Sequence, residues 1–143
     1  MKVKRYKRVQ RILSFYKHNF GIDKPYKVII DGTFASAALE NKTNIKEQLQ
    51  KYIDPGVEIF TTDCVLRELV ALGPALHGAL HICRQFRSCR QCAHTAAPLP
   101  AARCVLKIAK AAEVSDGFFY GTQDRELTEK LQKLPGRPVT TAL

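Results

Sequence analysis

Tyr26-Lys27-Val28-Ile29-Ile30-Asp31-Gly32-Thr33 is the stretch on which the fold turns. Its β-branched run, closed by an acid and a turn residue, is the pattern of a buried strand. Helical patterns follow over Phe34 to Leu39 and over Ile45 to Ile53. The second has Thr43 or Asn44 as N-cap and Ile45, Leu49, Tyr52 and Ile53 as its apolar face. Pro55-Gly56 marks a turn and Val57 to Thr61 a second strand. Thr62 or Asp63, with Asp63 favoured, caps a helix through Leu72 that Gly73 stops, and Pro74 opens another reaching about Phe86. Further on, a helix is expected over Ala101 to Ala112, a third strand over Phe118 to Gly121, and a helix over Arg125 to Lys133. A short last strand is expected over Pro138 to Leu143. Strands alternating with helices predict an α/β domain with a mostly parallel sheet and right-handed crossovers.

The 143 residues suffice for one domain, and 45% apolar with 25% charged residues is ordinary globular composition. No apolar run approaches the ~20 residues that span a bilayer. The basic N-terminus lacks the apolar core of a secretory signal, so an intracellular chain with reduced thiols is expected. The net charge of +10 points to a polyanion, with nucleic acid the usual one. That charge is unevenly placed. The first 22 residues hold no carboxylate, and Lys2, Lys4, Arg5, Lys7, Arg8, Arg11 and Lys17 are interleaved with Val9, Ile12, Leu13, Tyr16 and Phe20 at helical spacing. An amphipathic basic helix docked on the body is expected, offering RNA or assembly contact rather than a solvated tail. From Leu69 to Ala112 there is again no carboxylate, while Arg84, Arg87, Arg90, Arg103, Lys107 and Lys110 are present. Phe86 and His94 could stack on unpaired bases.

In a parallel sheet the functional crevice lies beyond the carboxyl ends of the strands. Asp31 and Asp124 follow strands, Asp63 sits just after another, and Glu68 lies on the helix behind it. Converging there, Asp31, Glu68 and Asp124 could hold Mg²⁺ or Mn²⁺ for phosphodiester cleavage. Taken alone, Asp63 and Asp124 read as helix caps, whereas Asp31 and Glu68 have no obvious local partner. A second candidate is Cys92-Ala93-His94 with Cys104, three zinc-ligand positions in a basic, irregular segment. The fourth ligand would come from Cys64, Cys83 or Cys89, with Cys89 favoured by its spacing to Cys92. His77 and His81, four apart on a helix, read as surface residues. The alternative for all five cysteines is a set of small buried hydrophobes.

These pieces together resemble a known family. Pro25-Tyr26-x-Val28-Ile29-Ile30-Asp31-Gly32-Thr33-Phe34 comes first, then Thr62-Asp63-Cys64-Val65-Leu66-x-Glu68-Leu69-x-x-Leu72-Gly73. After these stand Cys92-x-His94 with Cys104, Thr122-Gln123-Asp124-x-x-Leu127 and Leu134-Pro135-Gly136-x-Pro138. In this order they resemble the PIN-domain ribosome-biogenesis factors of the small-subunit processome, of the Utp twenty-three type more than the related Fcf-one type. The resemblance covers nearly the whole chain. It implies a basic N-terminal helix over 1–24 and a PIN-like domain over 25–143, a small twisted sheet flanked by helices. A CCHC zinc finger would be inserted at about 87–104.

The resemblance further implies a nucleolar factor of early 18S pre-rRNA processing. Its partners would be pre-rRNA, a box H/ACA snoRNA and other processome proteins, with no membrane role. Cys64 replaces Cys89 as the favoured partner of Cys92, His94 and Cys104 around a structural zinc. RNA contacts are expected from Lys2, Lys4, Arg5, Lys7, Arg8, Arg11, Arg84, Arg87 and Arg90. PIN nucleases carry about four acids. Asp31, Glu68 and Asp124 match three of those positions, but Ala102 and Arg103 stand where the remaining one belongs. A degenerate, non-catalytic domain without Mg or Mn is therefore expected, with a weak Mn-dependent endoribonuclease as the alternative. Family members continue past the last strand, so a fragment or short form is expected here.

Overall fold

The computed structural model describes residues 3–94, 96–112 and 117–140. In chain order the elements are α1 (Val3–Phe20), β1 (Lys27–Ile30), α2 (Gly32–Glu40), α3 (Ile45–Tyr52), β2 (Glu58–Thr61) and α4 (Asp63–Ala71). A 3₁₀ turn (Pro74–Leu76) leads to α5 (His77–Arg84), β3 (Arg87–Ser88), α6 (Ala101–Ala111), β4 (Phe118–Gly121), α7 (Arg125–Gln132) and β5 (Val139–Thr140). The strands form one sheet in the order β3-β2-β1-β4-β5, and every pairing is parallel.

β1 lies at the centre, between β2 and β4. Val28, Ile29 and Ile30 are buried, as a strand covered by helices on both faces requires. The register aligns Ile30 with Gly121, so β1 and β4 end side by side. Strand order reverses between them, because the chain winds outward from β1 to β3 on one side and from β4 to β5 on the other. That reversal opens the crevice in which doubly wound sheets place their ligands. Gly32 is required here for close approach. A Cβ would meet Leu69 Cδ2 at 2.7 Å, so its absence lets α2 lie against α4 beside Asp31.

Most expected elements are present within a residue or two. Asn44 caps α3 through a 3.1 Å bond from the Glu47 N–H. Thr62, not Asp63, caps α4: its hydroxyl accepts from the Val65 N–H at 3.1 Å. Asp63 is instead the first residue of α4, and its carboxylate accepts from Ser88 Oγ at 2.8 Å. The expected helix from Pro74 starts as a 3₁₀ turn and becomes α-helical only at His77. The irregular segment contains an edge strand, β3, that pairs with β2 and that its polar sequence did not announce. The last strand is found at Val139–Thr140, and the expectation for 141–143 lies outside the described residues, as does Lys2.

α1 is docked on the body as its periodicity predicts. Leu13 is buried, Val9, Tyr16 and Phe20 pack against the core, and Gln10 Nε2 donates to the Tyr52 carbonyl at 2.9 Å. Ile12, counted with the apolar stripe, is instead 42% exposed.

Candidate functional site: an acid-lined crevice beside a cysteine–histidine cluster

A cleft of about 520 Å³ opens at the crevice, and Asp31, Glu40, Glu68, Ala102, Gln123 and Asp124 are among its walls. The three acids expected to converge thus share one cleft, delivered by the end of β1, by α4 and by the end of β4. They are not gathered as a cation would need. Among the described residues, the group of His, Cys, Asp or Glu side chains close enough to hold a metal lies elsewhere.

Asp31 is already engaged. Its Oδ1 accepts from the Phe34 N–H at 2.9 Å and from Thr33 Oγ1 at 2.7 Å, and its Oδ2 accepts from Thr122 Oγ1. It is the N-cap of α2. Asp124 likewise caps α7, accepting from the Leu127 N–H at 3.1 Å. Thr33 and Thr122 tie the two loops together: the Gln123 N–H donates to Thr33 Oγ1 at 2.9 Å and the Asp124 N–H to Thr122 Oγ1 at 3.0 Å. Sequence reasoning gave these threonines no role; their signal was a hydroxyl two residues from each strand-end acid. It also missed Glu40, which faces the cleft from the last turn of α2.

Burial pushes the Asp31 carboxyl above the usual carboxylate range. Hydrogen bonds from Thr122, Thr33 and Phe34 offset part of this, and the Asp124 charge adds to the rise. Since the folded-state pKa exceeds the unfolded one, ionising Asp31 costs stability as pH rises from the ordinary carboxylate pKa to the raised one. The cost grows across the window between those two pKa values and vanishes on acidification below the ordinary one. Asp31→Asn keeps the acceptor for Phe34 and removes the charge. Its melting temperature at pH 7 should therefore match or exceed that of the parent, with a flatter dependence between pH 4 and 7. Asp31→Ala leaves three donors without their acceptor and should cost about 2–4 kcal/mol. Thermal melts of both variants across that pH range check the pair.

The second cluster lies next to the cleft. Cys64 Sγ is 3.7 Å from Cys92 Sγ and 3.6 Å from His94 Nδ1. Cys92 Sγ is 3.6 Å from that nitrogen and 3.5 Å from Cys104 Sγ. All four donor atoms lie within 4.8 Å of one another. A tetrahedral zinc with bonds of about 2.3 Å to sulfur and about 2.0 Å to nitrogen sets sulfurs about 3.8 Å apart and sulfur and nitrogen about 3.5 Å apart. The donor set fits that geometry. Cys64 and Cys104 stand near the N-termini of α4 and α6. Burial alone would raise the Cys92 thiol, but hydrogen bonds with the Cys64 backbone, the Cys104 thiol and His94 outweigh it and hold it below the usual thiol range. Burial pushes the Cys104 thiol up, past what its bond with Thr62 offsets. Outside the four, the Leu99 N–H points at Cys64 Sγ at 3.5 Å and Arg67 Nη1 donates to the His94 carbonyl at 3.1 Å.

Cys89 is not in the cluster. Its backbone N–H donates to the Thr61 carbonyl at 2.7 Å and its thiol to Gln91 Oε1 at 3.0 Å. Cys83 is fully buried and burial pushes its thiol up to about 12, so it is an inert core residue. The two metal questions meet on shared helices. Glu68 lies one turn beyond Cys64 on α4, and Ala102 lies two residues before Cys104 on α6.

The basic residues divide into two groups. Arg84, Arg87 and Arg90 are exposed around the end of α5 and the edge strand β3. Lys4, Arg5, Lys7, Arg8 and Arg11 lie on α1, which lines a groove with α3 and the opposite edge strand β5. With strands about 4.8 Å apart, the two sheet edges are roughly 20 Å apart.

Known proteins bear out this architecture. The chain is similar to the rRNA-processing protein utp23 of Schizosaccharomyces pombe, 26% identical over 140 residues, which cover 97% of this chain and 54% of that protein. It is also similar to the rRNA-processing protein FCF1 of Saccharomyces cerevisiae, 29% identical over 126 residues, covering 87% of this chain and 64% of that protein. The chain therefore spans between half and two thirds of the length of these relatives. The solved structure of the PIN domain endonuclease Utp24 superposes with a TM-score of 0.72 at 28% identity, covering 83% of this chain and 86% of that one. With a PIN-type fold and a match of residues 51–142 to the family described as Fcf1, the chain belongs to the Fcf1 family.

Proposed function

We propose that the protein is a non-catalytic RNA-binding factor of ribosome biogenesis. It acts in early 18S pre-rRNA processing within the small-subunit processome, in the nucleolus, where it contacts pre-rRNA and a box H/ACA snoRNA. The names of its relatives support the rRNA-processing part of this reading. The observation that carries the non-catalytic part is Ala102. It occupies the cleft wall where a PIN nuclease is expected to place an acid, and a methyl group can neither bind a cation nor activate water. The bonding of Asp31 supports the same reading, because three of the roughly four acceptor positions of its carboxylate are used by donors of the protein itself.

Cys64, Cys92, His94 and Cys104 would hold a structural zinc that pins the 87–104 segment to α4 and α6. Zinc there supplies no reaction chemistry, since four protein ligands leave no open position. Arg84, Arg87 and Arg90, with Lys2 and the outward side of α1 (Lys4, Lys7, Arg11), contact phosphates. Arg5 and Arg8 complete the basic set.

One observation favours a second reading, a weak Mn²⁺-dependent endoribonuclease: the structural neighbour is named an endonuclease. Asp31, Glu68 and Asp124 would then serve as the acids. Asp63, the substitute considered from sequence, is bonded to Ser88 and is not among the cleft walls. The deciding experiment incubates the purified protein with labelled single-stranded RNA in Mn²⁺ beside Asp31→Asn. The expected result is salt-sensitive binding without cleavage in either protein. Cleavage abolished in Asp31→Asn would establish the nuclease.

A further inference from the structure

One surface has an apolar floor that phosphate contact does not use. On the flank of α1 facing β5, an apolar groove of about 310 Å³ runs between α1, α3 and β5, floored by Val9, Leu13, Leu49, Ile53 and Val139. It continues into a shallower depression of about 450 Å³ beside Ile12, Phe15 and Pro138. Ile12 and Phe15 are 42% and 54% exposed, large apolar side chains at the rim of an apolar trough. Isolated exposed apolar residues need no explanation, but a contiguous set along a groove marks an interaction site.

The rim has one sign of charge. Arg5 and Arg8 line the groove and Arg11 lines its extension. Arg5 is held in place over the Tyr52 ring, 5.3 Å from its centroid, with its guanidinium at the groove edge. No carboxylate occurs in the first 22 residues to neutralise these groups. At 100° per residue, Lys4, Lys7 and Arg11 cluster on the outward side of α1, whereas Arg5 and Ile12 lie together on the groove side, with Arg8 between.

The floor discriminates between polyanions. Single-stranded RNA binds through aromatic platforms on which bases stack. The groove lining is mostly aliphatic, and of its two aromatics Tyr52 is covered by Arg5 while Phe119 is 7% exposed and packed against Tyr16 and Tyr26, so the groove offers no open ring for a base and suits Leu- or Ile-sized anchors of a protein segment. From Arg5 to Phe15 the helix advances ten residues, about 15 Å, or close to three turns of a partner helix. Apolar anchors at i, i+3, i+4 and i+7 with acids on the flanks would complement an aliphatic trough under a cationic rim.

We propose that the α1–α3–β5 groove is a docking site for an acidic amphipathic helix of a partner protein. It is separate from the RNA surface at the β3 edge but shares Arg5, Arg8 and Arg11 with the basic set on α1, so its failure would leave the β3-edge contacts of the RNA reading untouched.

The test is fluorescence anisotropy with three labelled probes. One is a 16-residue peptide carrying Leu at i, i+3, i+4 and i+7 with Glu elsewhere on the flanks. The second has the same composition scrambled to break the period, and the third is oligoglutamate. Single-stranded RNA is titrated in parallel. The patterned peptide should bind at least tenfold more tightly than either control. Ile12→Asn, which removes the apolar rim without adding a charge beside Arg5 and Arg8, should weaken it at least tenfold while RNA affinity stays within twofold. Gln48→Glu, on α3 across the groove from the basic face of α1, repeats the test independently of any effect of Ile12→Asn on folding. Binding of the patterned peptide no tighter than oligoglutamate would overturn the proposal. So would loss of RNA affinity in these variants with peptide binding unchanged, which would make the face an RNA surface.

Discussion

Replacing Cys92 or His94 with Ala should release one zinc per chain and lower the melting temperature by about 10–20 °C. The four donors are spaced as a zinc tetrahedron requires. They come from three separate pieces of chain: α4, the 87–100 segment and α6. A ligand that binds only the folded state at a thousand times its Kd adds about 4 kcal/mol. For a domain of this size, each kcal/mol moves the melting temperature by roughly 3–5 °C. The protein has its own core around β1, so the variants should remain folded there and lose order in the segment between β3 and α6. Cys89→Ser is the matched control: Cys89 is as buried as its neighbours but bonds to Gln91, so zinc content should be unchanged. Elemental analysis of the purified variants, with melts with and without chelator, reads both effects. Affinity should also fall on acidification, because protons compete for thiolates and imidazole. Full zinc stoichiometry in both Cys92→Ala and His94→Ala would remove the ligand assignment.

How much of this was legible depended on whether the signal was local. β1 declares itself through the buried run Val28-Ile29-Ile30 closed by an acid and a turn, and β4 through Phe118 to Gly121, but the capping role of Asp31 was not read. Other helix caps were readable to within a residue, because a cap is a short-range hydrogen bond. The error at Asp63 was a choice between neighbours, and the hydroxyl of Thr62 took the bond. β3 was not legible because two exposed polar residues form a strand only when β2 offers them an edge. The cysteine set illustrates the same limit. Spacing alone favoured Cys89, three residues before Cys92, whereas Cys64 is 28 residues away and is brought within 3.7 Å by the packing of α4. The split of the basic residues was equally hidden. Their clustering in two segments is visible in the sequence, but their placement at opposite sheet edges depends on the strand order.

That split sets the second large effect. Reversing Arg84, Arg87 and Arg90 to Glu should weaken single-stranded RNA binding about 100-fold at 0.1 M salt and reduce the slope of log K against log salt by about 2. Each phosphate contact on a single strand contributes about 0.7 to that slope, and three contacts supply about 2.1. Extrapolated over a tenfold span of salt, the same number gives the loss in affinity. All three side chains are exposed and form no ion pair among the described residues, so reversal should leave the melting temperature within a few degrees. The loss should be uniform across RNA sequences, because phosphate contacts carry no base information. Reversing Lys4 and Lys7 alone should flatten the slope less, by about 1.4, since only two contacts are removed. The combined variant distinguishes two arrangements. If one RNA reaches both edges across the roughly 20 Å sheet, the losses from the two sets should exceed those of either alone and approach their sum. If the edges bind separate RNAs, the salt slope for a short oligonucleotide should respond to one set only. An unchanged affinity in the Arg84, Arg87 and Arg90 variant would remove the β3 edge from the RNA surface and leave α1 as the sole basic contact.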